Sequence, residues 1–320
     1  MTVQTLHRQS KSNDDAALDR AREQVERTLS VAIAAPAVKT FFDEATFTAT
    51  HVVHDLATKK AAIVDSVMDF DQPSGRTSFE HANLIIDYVR SEGLTVEWLL
   101  ETHAHADHLS AAPYLQQKLG GKIAIGSEIR TVQEAFGKVF NEGTQFARDG
   151  SQFDRLLSDG NEFSVGDIPA VALHVPGHTP ADMAYVIGNA VFVGDTMFMP
   201  DYGTARCDFP GGDAHQLYRS IRRLNSRPAD TRVFLCHDYQ APDRPFYAWE
   251  TTIGAERAGN IHVHEGVDES TFVALRTKRD ATLGMPKLIL PSVQVNIRGG
   301  RLPEPEDNGI AYLKLPLNLL

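Results

Sequence analysis

The chain has 320 residues, 42% hydrophobic and 23% charged, which supports a self-sufficient globular core and excludes the disordered class. Asp and Glu (42) outnumber Lys and Arg (31), and the net charge of −11 excludes non-specific nucleic-acid binding as a main role, because phosphates would be repelled. Two cysteines, Cys207 and Cys236, are too few for a disulfide framework, and no apolar run suits a membrane span or secretion signal, so a cytoplasmic protein with reduced thiols is expected.

Residues 1–12 are polar and read as loose. Leu18, Ala21, Val25 and Leu29 recur at helical spacing between Asn13 and Pro36, which predicts a surface helix packed on its own domain or on a partner subunit. Residues 1–45 are therefore set apart as a helical extension, 46–300 as the catalytic domain and 301–320 as a tail packed on it. From Thr46 the pattern turns to β: Thr46 to Val53 alternates, and Ala61 to Val67 is nearly all apolar, as in a buried strand. Thr77-Ser78-Phe79-Glu80 has the spacing of a capping box ahead of a helix with Leu84, Ile85, Tyr88 and Val89 on one face.

Trp98 to Glu101 reads as a strand end, followed by a histidine-rich turn, a helix through Leu115 to Leu119, a Gly120-Gly121 stop and a strand at Lys122 to Ile125. Residues 131–158 read as an inserted helix and loop. Phe163 to Val165, Val171 to Val175, Ala184 to Ile187 and Val191 to Val193 predict successive strands. Asp213 suits the cap of a helix presenting Leu217, Tyr218, Ile221 and Leu224, and Val233 to Cys236 makes one more buried strand. Two β-rich stretches relieved by helices suggest two sheets face to face with helices outside, a four-layer αβ/βα sandwich. No repeat or low-complexity tract points to a solenoid or propeller.

The chemistry concentrates in His103-x-His105-x-Asp107-His108, four potential metal ligands within six residues just after an apolar strand. A single buried histidine is more often a hydrogen-bonded core imidazole, but four ligand-type residues on one turn reverse those odds. The same grammar recurs in Pro176-Gly177-His178-Thr179, Gly194-Asp195-Thr196 and Cys236-His237-Asp238-Tyr239, each placed where a strand gives way to a loop. Together these groups suffice for one metal ion or two.

This ordered set resembles the ligand pattern of the metallo-β-lactamase superfamily. Aspartate at 195, where many true β-lactamases carry cysteine, weakens antibiotic hydrolysis as a reading. A closer resemblance is to the persulfide dioxygenase (sulfur dioxygenase) branch, related to glyoxalase II. It rests on Ile63-Val64-Asp65, Thr102 to His108, Pro176 to Thr179, Gly194-Asp195, Ala205-Arg206-Cys207-Asp208-Phe209, His237-Asp238-Tyr239, Glu256-Arg257 with Asn260, and Asn296-Ile297-Arg298-x-Gly300.

The resemblance implies that His103, His178 and Asp195 bind a single Fe(II), with His105, Asp107, His108 and His237 as a polar shell around a second site. It implies oxidation of a glutathione-type persulfide by O2 and water to sulfite and the thiol. Asp107 and His108 would orient bound groups, Tyr239 would donate a hydrogen bond to a bound oxygen or sulfur, and Asp65 would anchor the histidine turn. Arg206, then Arg257 and Arg298, are candidates for the substrate's carboxylates, set against structural ion pairs with neighbours such as Asp208 or Glu256.

The alternative is a glyoxalase II-like thioester hydrolase with two Zn(II) bridged by Asp195, since the ligand set serves either metal count. A closed structural zinc site fits less well, because such sites favour cysteine. Cys207 reads as a packing residue rather than a nucleophile, Cys236 as core, and His262-x-His264 as a solvated loop. Self-association is left open.

Overall fold

A computed structural model describes residues 13–319, so the reading of residues 1–12 as loose lies outside the described residues. In chain order the first elements are α1 (Asn13–Leu29), β1 (Ala37–Asp43), β2 (Thr48–His54), β3 (Lys60–Val64), β4 (Val67–Asp71) and β5 (Arg76–Ser78). They are followed by α2 (Glu80–Ser91), β6 (Thr95–Leu100), β7 (Leu109–Ser110), α3 (Ala112–Leu119), β8 (Lys122–Gly126), α4 (Ile129–Val139) and β9 (Arg155–Leu157). The second half holds β10 (Glu162–Val165), β11 (Ile168–His174), β12 (Met183–Ile187), β13 (Ala190–Phe192), α5 (Ala214–Asn225) and β14 (Arg232–Phe234). It closes with β15 (Glu250–Thr252), α6 (Ile253–Gly259), α7 (Glu269–Asp280) and α8 (Ile289–Asn296).

Two six-stranded sheets, ordered β1-β2-β3-β6-β8-β9 and β10-β11-β12-β13-β14-β15, face each other. Val53, Val64 and Leu100 of the first sheet meet Ala172, Tyr185 and Phe192 of the second in one buried cluster. The outer face of the first sheet is covered by α2, α3, α4 and α8 through residues such as Ile85, Leu115 and Val293. The outer face of the second is covered by α1 and α5–α7. The expected αβ/βα sandwich is what the chain forms. A third, three-stranded sheet, β5-β4-β7, was not foreseen.

Local chemistry explains the elements. Asp213 caps α5 by accepting from the backbone N–H of His215 and Gln216, and Leu217, Ile221 and Leu224 are wholly buried, each contributing about 2 kcal/mol by area. In α1 the buried stripe is Ala17, Ala21 and Val25, small residues that let the helix lie close on β11, while Leu29 stays exposed. The capping box at Thr77–Glu80 does not form: Thr77, in β5, pairs with Phe70 of β4, the residue before the helix is Phe79, and Asp69 accepts the His81 N–H instead. β1, within the segment read as a helical extension, pairs with β2 and belongs to the first sheet. The described part of the tail, residues 301–319, carries neither helix nor strand, and its Lys314 bonds Gln294 and Glu142.

The topology fixes where a site can lie. β3 and β6 run parallel, and β11, β13 and β14 share one direction, so their ends open onto the same edge of the sandwich.

Candidate metal centre

Each ligand-type residue follows one of those strand ends: Asp65 after β3, His103 to His108 after β6, His178 after β11, Asp195 after β13 and His237 after β14. Two glycines permit the convergence. Gly177, at φ 149°, lies so close to α5 that a Cβ would stand 2.3 Å from the Leu217 Cα. Gly194, at φ 52°, would put a Cβ 2.6 Å from the Thr102 hydroxyl.

Among the described residues, four overlapping groups of potential ligands result, two of which draw only on the motif histidines and aspartates. His103, His178 and Asp195 place one ligand atom each within 4.8 Å of one another, and so do His105, Asp107, His108 and His237. The His103 and His178 rings stand perpendicular with centroids 5.1 Å apart. His178 commits its Nδ1 to the Arg206 carbonyl oxygen at 2.7 Å, leaving Nε2 facing Asp195 at 3.6 Å. Asp182 secures that turn by accepting from the Thr179 N–H (2.7 Å) and hydroxyl (2.6 Å), and burial pushes its pKa up to about 6.

Asp65 anchors the histidine turn. Its Oδ1 accepts from the Thr102 N–H at 2.8 Å and meets His105 Nε2 at 3.0 Å, and its Oδ2 accepts from the Thr102 hydroxyl at 2.9 Å. Glu101, which the sequence reading did not single out, stands 3.5 Å from the same His105 nitrogen and accepts from Ser110. Asn296 of α8 pins the turn from the other side, donating to the carbonyls of His105 (2.9 Å) and His108 (2.8 Å) and accepting from the Ser110 N–H (2.9 Å).

The donor atoms fit a cation. His105 Nδ1 and His108 Nε2 are buried without a hydrogen-bond partner, as metal-directed imidazole nitrogens would be. Burial and the neighbouring His105 and His178 hold His103 well below its ordinary pKa, and burial lowers His108 to about 4, so both stay neutral and able to ligate. At His237 burial opposes charging, but Asp107 (3.0 Å) and Asp195 (3.4 Å) outweigh it and lift the pKa to about 9. Such convergence of carboxylates suits a divalent ion.

Cys236, expected as plain core, also brings its sulfur within 4.8 Å of donors of Asp195 and His237, although burial keeps the thiol protonated. Cys207 is buried beside Asp280 with its pKa pushed to about 12, in keeping with a packing role. His262 is not in a solvated loop: it is buried, and its Nδ1 accepts the Thr204 N–H at 3.0 Å.

The donors open into a cleft of about 1180 Å³ whose wall includes Asp107, His178, Asp195, Arg206 and Tyr239. Tyr239 packs on His237, with ring centroids 5.8 Å apart; desolvation of its hydroxyl, then the charge of Asp107 and Asp195, keep it protonated. Arg206 lines the cleft, but its guanidinium is taken by a fork with Asp208 (2.6 and 2.7 Å) and by the Gly284 carbonyl. Arg257 and Arg298 are not brought to the cleft. Arg298 pairs with Glu142 at 2.7 Å, and Arg257 reaches toward the Asn225 carbonyl. Neither position is signalled locally, because both depend on how α6 and α8 dock.

The profile of the metallo-beta-lactamase superfamily matches residues 45–237, which contain both donor groups. The chain belongs to the metallo-β-lactamase superfamily. Among curated members it is 55% identical to a probable metallo-hydrolase of Burkholderia pseudomallei over 88% of this chain and 99% of that one. It is 48% identical to a protein named glyoxylase B2 of Dictyostelium discoideum, over 84% and 92%. Among solved superfamily structures, ETHE1 from Myxococcus xanthus superposes with a TM-score of 0.65 at 27% identity, covering 83% of this chain and all of that one. These matches support the persulfide dioxygenase and glyoxalase II branch expected from the motifs. Among the described residues, no helix is long and apolar enough to cross a membrane.

Proposed function

We propose that this superfamily member oxidises a glutathione-type persulfide with O2 and water at one Fe(II) per chain, held by His103, His178 and Asp195. The products are sulfite and the free thiol: RSSH + O2 + H2O gives RSH and H2SO3 before ionisation. The observation that carries the reading is the grouping of two imidazoles and one carboxylate within 4.8 Å, the donor set of non-haem Fe(II) oxygenases. The ETHE1 likeness supports it.

Iron(II), when bound, supplies open coordination positions and the redox chemistry that activates O2, which zinc lacks. The chain's own residues set the geometry. The Arg206 carbonyl fixes the tautomer of His178, Asp65 and Glu101 fix His105, and Asn296 holds the turn that carries His103. Tyr239 offers a protonated hydroxyl to the persulfide or to O2, and Asp107 and His108 orient the polar end of the reactants. Phe198, Phe209 and Met68 make an apolar wall that limits water beside the reacting sulfur.

A second reading, thioester hydrolysis with two Zn(II), is favoured by the other donor group, His105, Asp107, His108 and His237, and by the glyoxylase B2 match. An oxygen electrode separates them. With glutathione persulfide, the dioxygenase consumes one O2 per sulfite formed; no oxygen uptake, together with rapid hydrolysis of an acylglutathione, would hand the site to the second reading.

A further inference from the structure

We propose that Thr48 is a positioning residue of the metal centre. Its hydroxyl accepts a hydrogen bond from Nδ1 of both His108 and His237, which turns both Nε2 lone pairs toward the other donors. Asp43, acting through Thr46, holds that hydroxyl in the accepting role. The inference concerns the two imidazoles alone and stands with one iron or two zinc ions, whatever the substrate.

The backbone brings Thr48 to the site. It opens β2, whose start zips onto the chain leaving β14. Thr48 bridges His237, the Ala49 N–H donates to the Cys236 carbonyl at 2.7 Å, and the Asp238 N–H donates to the Phe47 carbonyl at 3.3 Å. Phe47 stands at φ 57°, a left-handed conformation unfavourable for a bulky residue and kept only where the surrounding structure demands it. On either side of it, the Thr46 and Thr48 hydroxyl oxygens lie 2.8 Å apart. Thr48, His108 and His237 are wholly buried.

A hydroxyl has one hydrogen and two lone pairs, so the roles can be counted. The Thr46 hydroxyl spends its hydrogen on Asp43 Oδ2 at 2.6 Å, an oxygen that also accepts the Thr46 N–H at 2.9 Å. Toward Thr48, Thr46 can then only accept, so Thr48 must donate. The Thr46 carbonyl, 3.4 Å away, is a second acceptor for the same hydrogen, which is committed to Thr46 either way. Thr48 is left with its lone pairs, and two nitrogens face them: His108 Nδ1 at 3.3 Å and His237 Nδ1 at 3.4 Å. Both nitrogens must carry hydrogen.

Further neighbours agree. The Phe47 carbonyl, 3.1 Å from His237 Nδ1, and an Asp107 carboxylate oxygen, 3.4 Å from His108 Nδ1, are acceptors too. Asp107 is itself a donor residue, so Thr48 keeps the His108 hydrogen engaged when that carboxylate turns to a cation. With hydrogen on each Nδ1, the opposite nitrogens present lone pairs without rotation of either ring. His108 Nε2 is buried with no hydrogen-bond partner among the described residues. His237 Nε2 faces oxygens of Asp107 (3.0 Å) and Asp195 (3.4 Å), a meeting of lone pair and carboxylates that a shared cation relieves.

The test is long-range proton–nitrogen correlation spectroscopy of the full chain labelled with 15N-histidine, first chelator-treated and then loaded with Zn(II). In the wild type, His108 and His237 should both carry hydrogen on Nδ1. At His108, Nε2 should be bare before zinc is added, and zinc should leave the hydrogen where it is. Thr48→Val keeps the shape and removes the oxygen; Asp43→Ala frees the Thr46 hydrogen. Each should let an Nε2-hydrogen form of His108 appear and speed exchange of its Nδ1 hydrogen roughly 10-fold, the worth of one hydrogen bond. Thr48→Ser, which restores the hydroxyl, should match the wild type. Hydrogen on Nε2 of wild-type His108, a Thr48→Val or Asp43→Ala spectrum like the wild type's, or Thr48→Ser shifted as far as Thr48→Val would each overturn the proposal. None of these readouts involves oxygen uptake, so loss of the dioxygenase reading would leave the role of Thr48 standing.

Discussion

Replacing Asn296 with alanine removes the side chain that hydrogen-bonds α8 to the histidine turn. Asn296 is 4% exposed and makes three bonds, to the carbonyls of His105 and His108 and from the N–H of Ser110, at 2.8–2.9 Å. Alanine leaves two carbonyls and one N–H buried without that partner, each costing about 1–3 kcal/mol, so a loss of roughly 3–6 kcal/mol is expected after partial relaxation. Asn296→Asp should be no better: it keeps an acceptor for Ser110 but turns a carboxylate oxygen toward two carbonyls. Because the turn carries four donor residues, metal affinity should also fall roughly 10- to 100-fold. Thermal unfolding with and without chelator, paired with chelator competition for the bound metal, measures both effects. A variant within about 1 kcal/mol of wild type, with unchanged metal affinity, would refute the reasoning and show that the turn holds its shape without α8.

Glu256 is fully buried with Oε1 unpartnered, and burial pushes its pKa from 4.5 to about 8. The native state therefore keeps a proton that the unfolded chain loses, and stability should fall as pH rises from 4.5 to 8, by on the order of 4 kcal/mol. Glu256→Gln should flatten that slope, so its melting temperature relative to wild type should climb between pH 5 and 8; a constant difference would contradict the assignment. Arg244 forks onto Asp238 (2.6 and 2.7 Å), which is buried beside His237, and reaches Asp201 at 2.8 Å. Arg244→Ala strands that carboxylate and should cost about 3–5 kcal/mol in denaturant unfolding, and Arg244→Lys should recover only part, since a point charge cannot reproduce the fork; a full rescue would argue against it.

The sandwich and the donor set were legible because both are written locally. Apolar runs such as Ala61 to Val64 mark buried strands, and ligand-type residues directly after them mark one sheet edge. What escaped depends on distant partners. Asn296 lies 186 residues from Ser110, and nothing around it in sequence reveals the bond. Thr77–Glu80 has the letters of a cap, but pairing with β4 takes Thr77 into a strand first. Arg257 and Arg298 are as basic as Arg279, and only the docking of the helices sends the first two to carbonyls and Glu142 while leaving Arg279 on the cleft. His262 looked like loop because its spacing with His264 is featureless, whereas its burial against Thr204 comes from the chain folding back onto residues 203–204.

The most direct measurement is elemental analysis of the protein purified without added metal, made side by side for wild type, Asp195→Ala and Asp107→Ala. One iron per wild-type chain is expected, lost in Asp195→Ala and largely kept in Asp107→Ala. Two zinc ions per chain, with Asp107→Ala losing one of them, would contradict it.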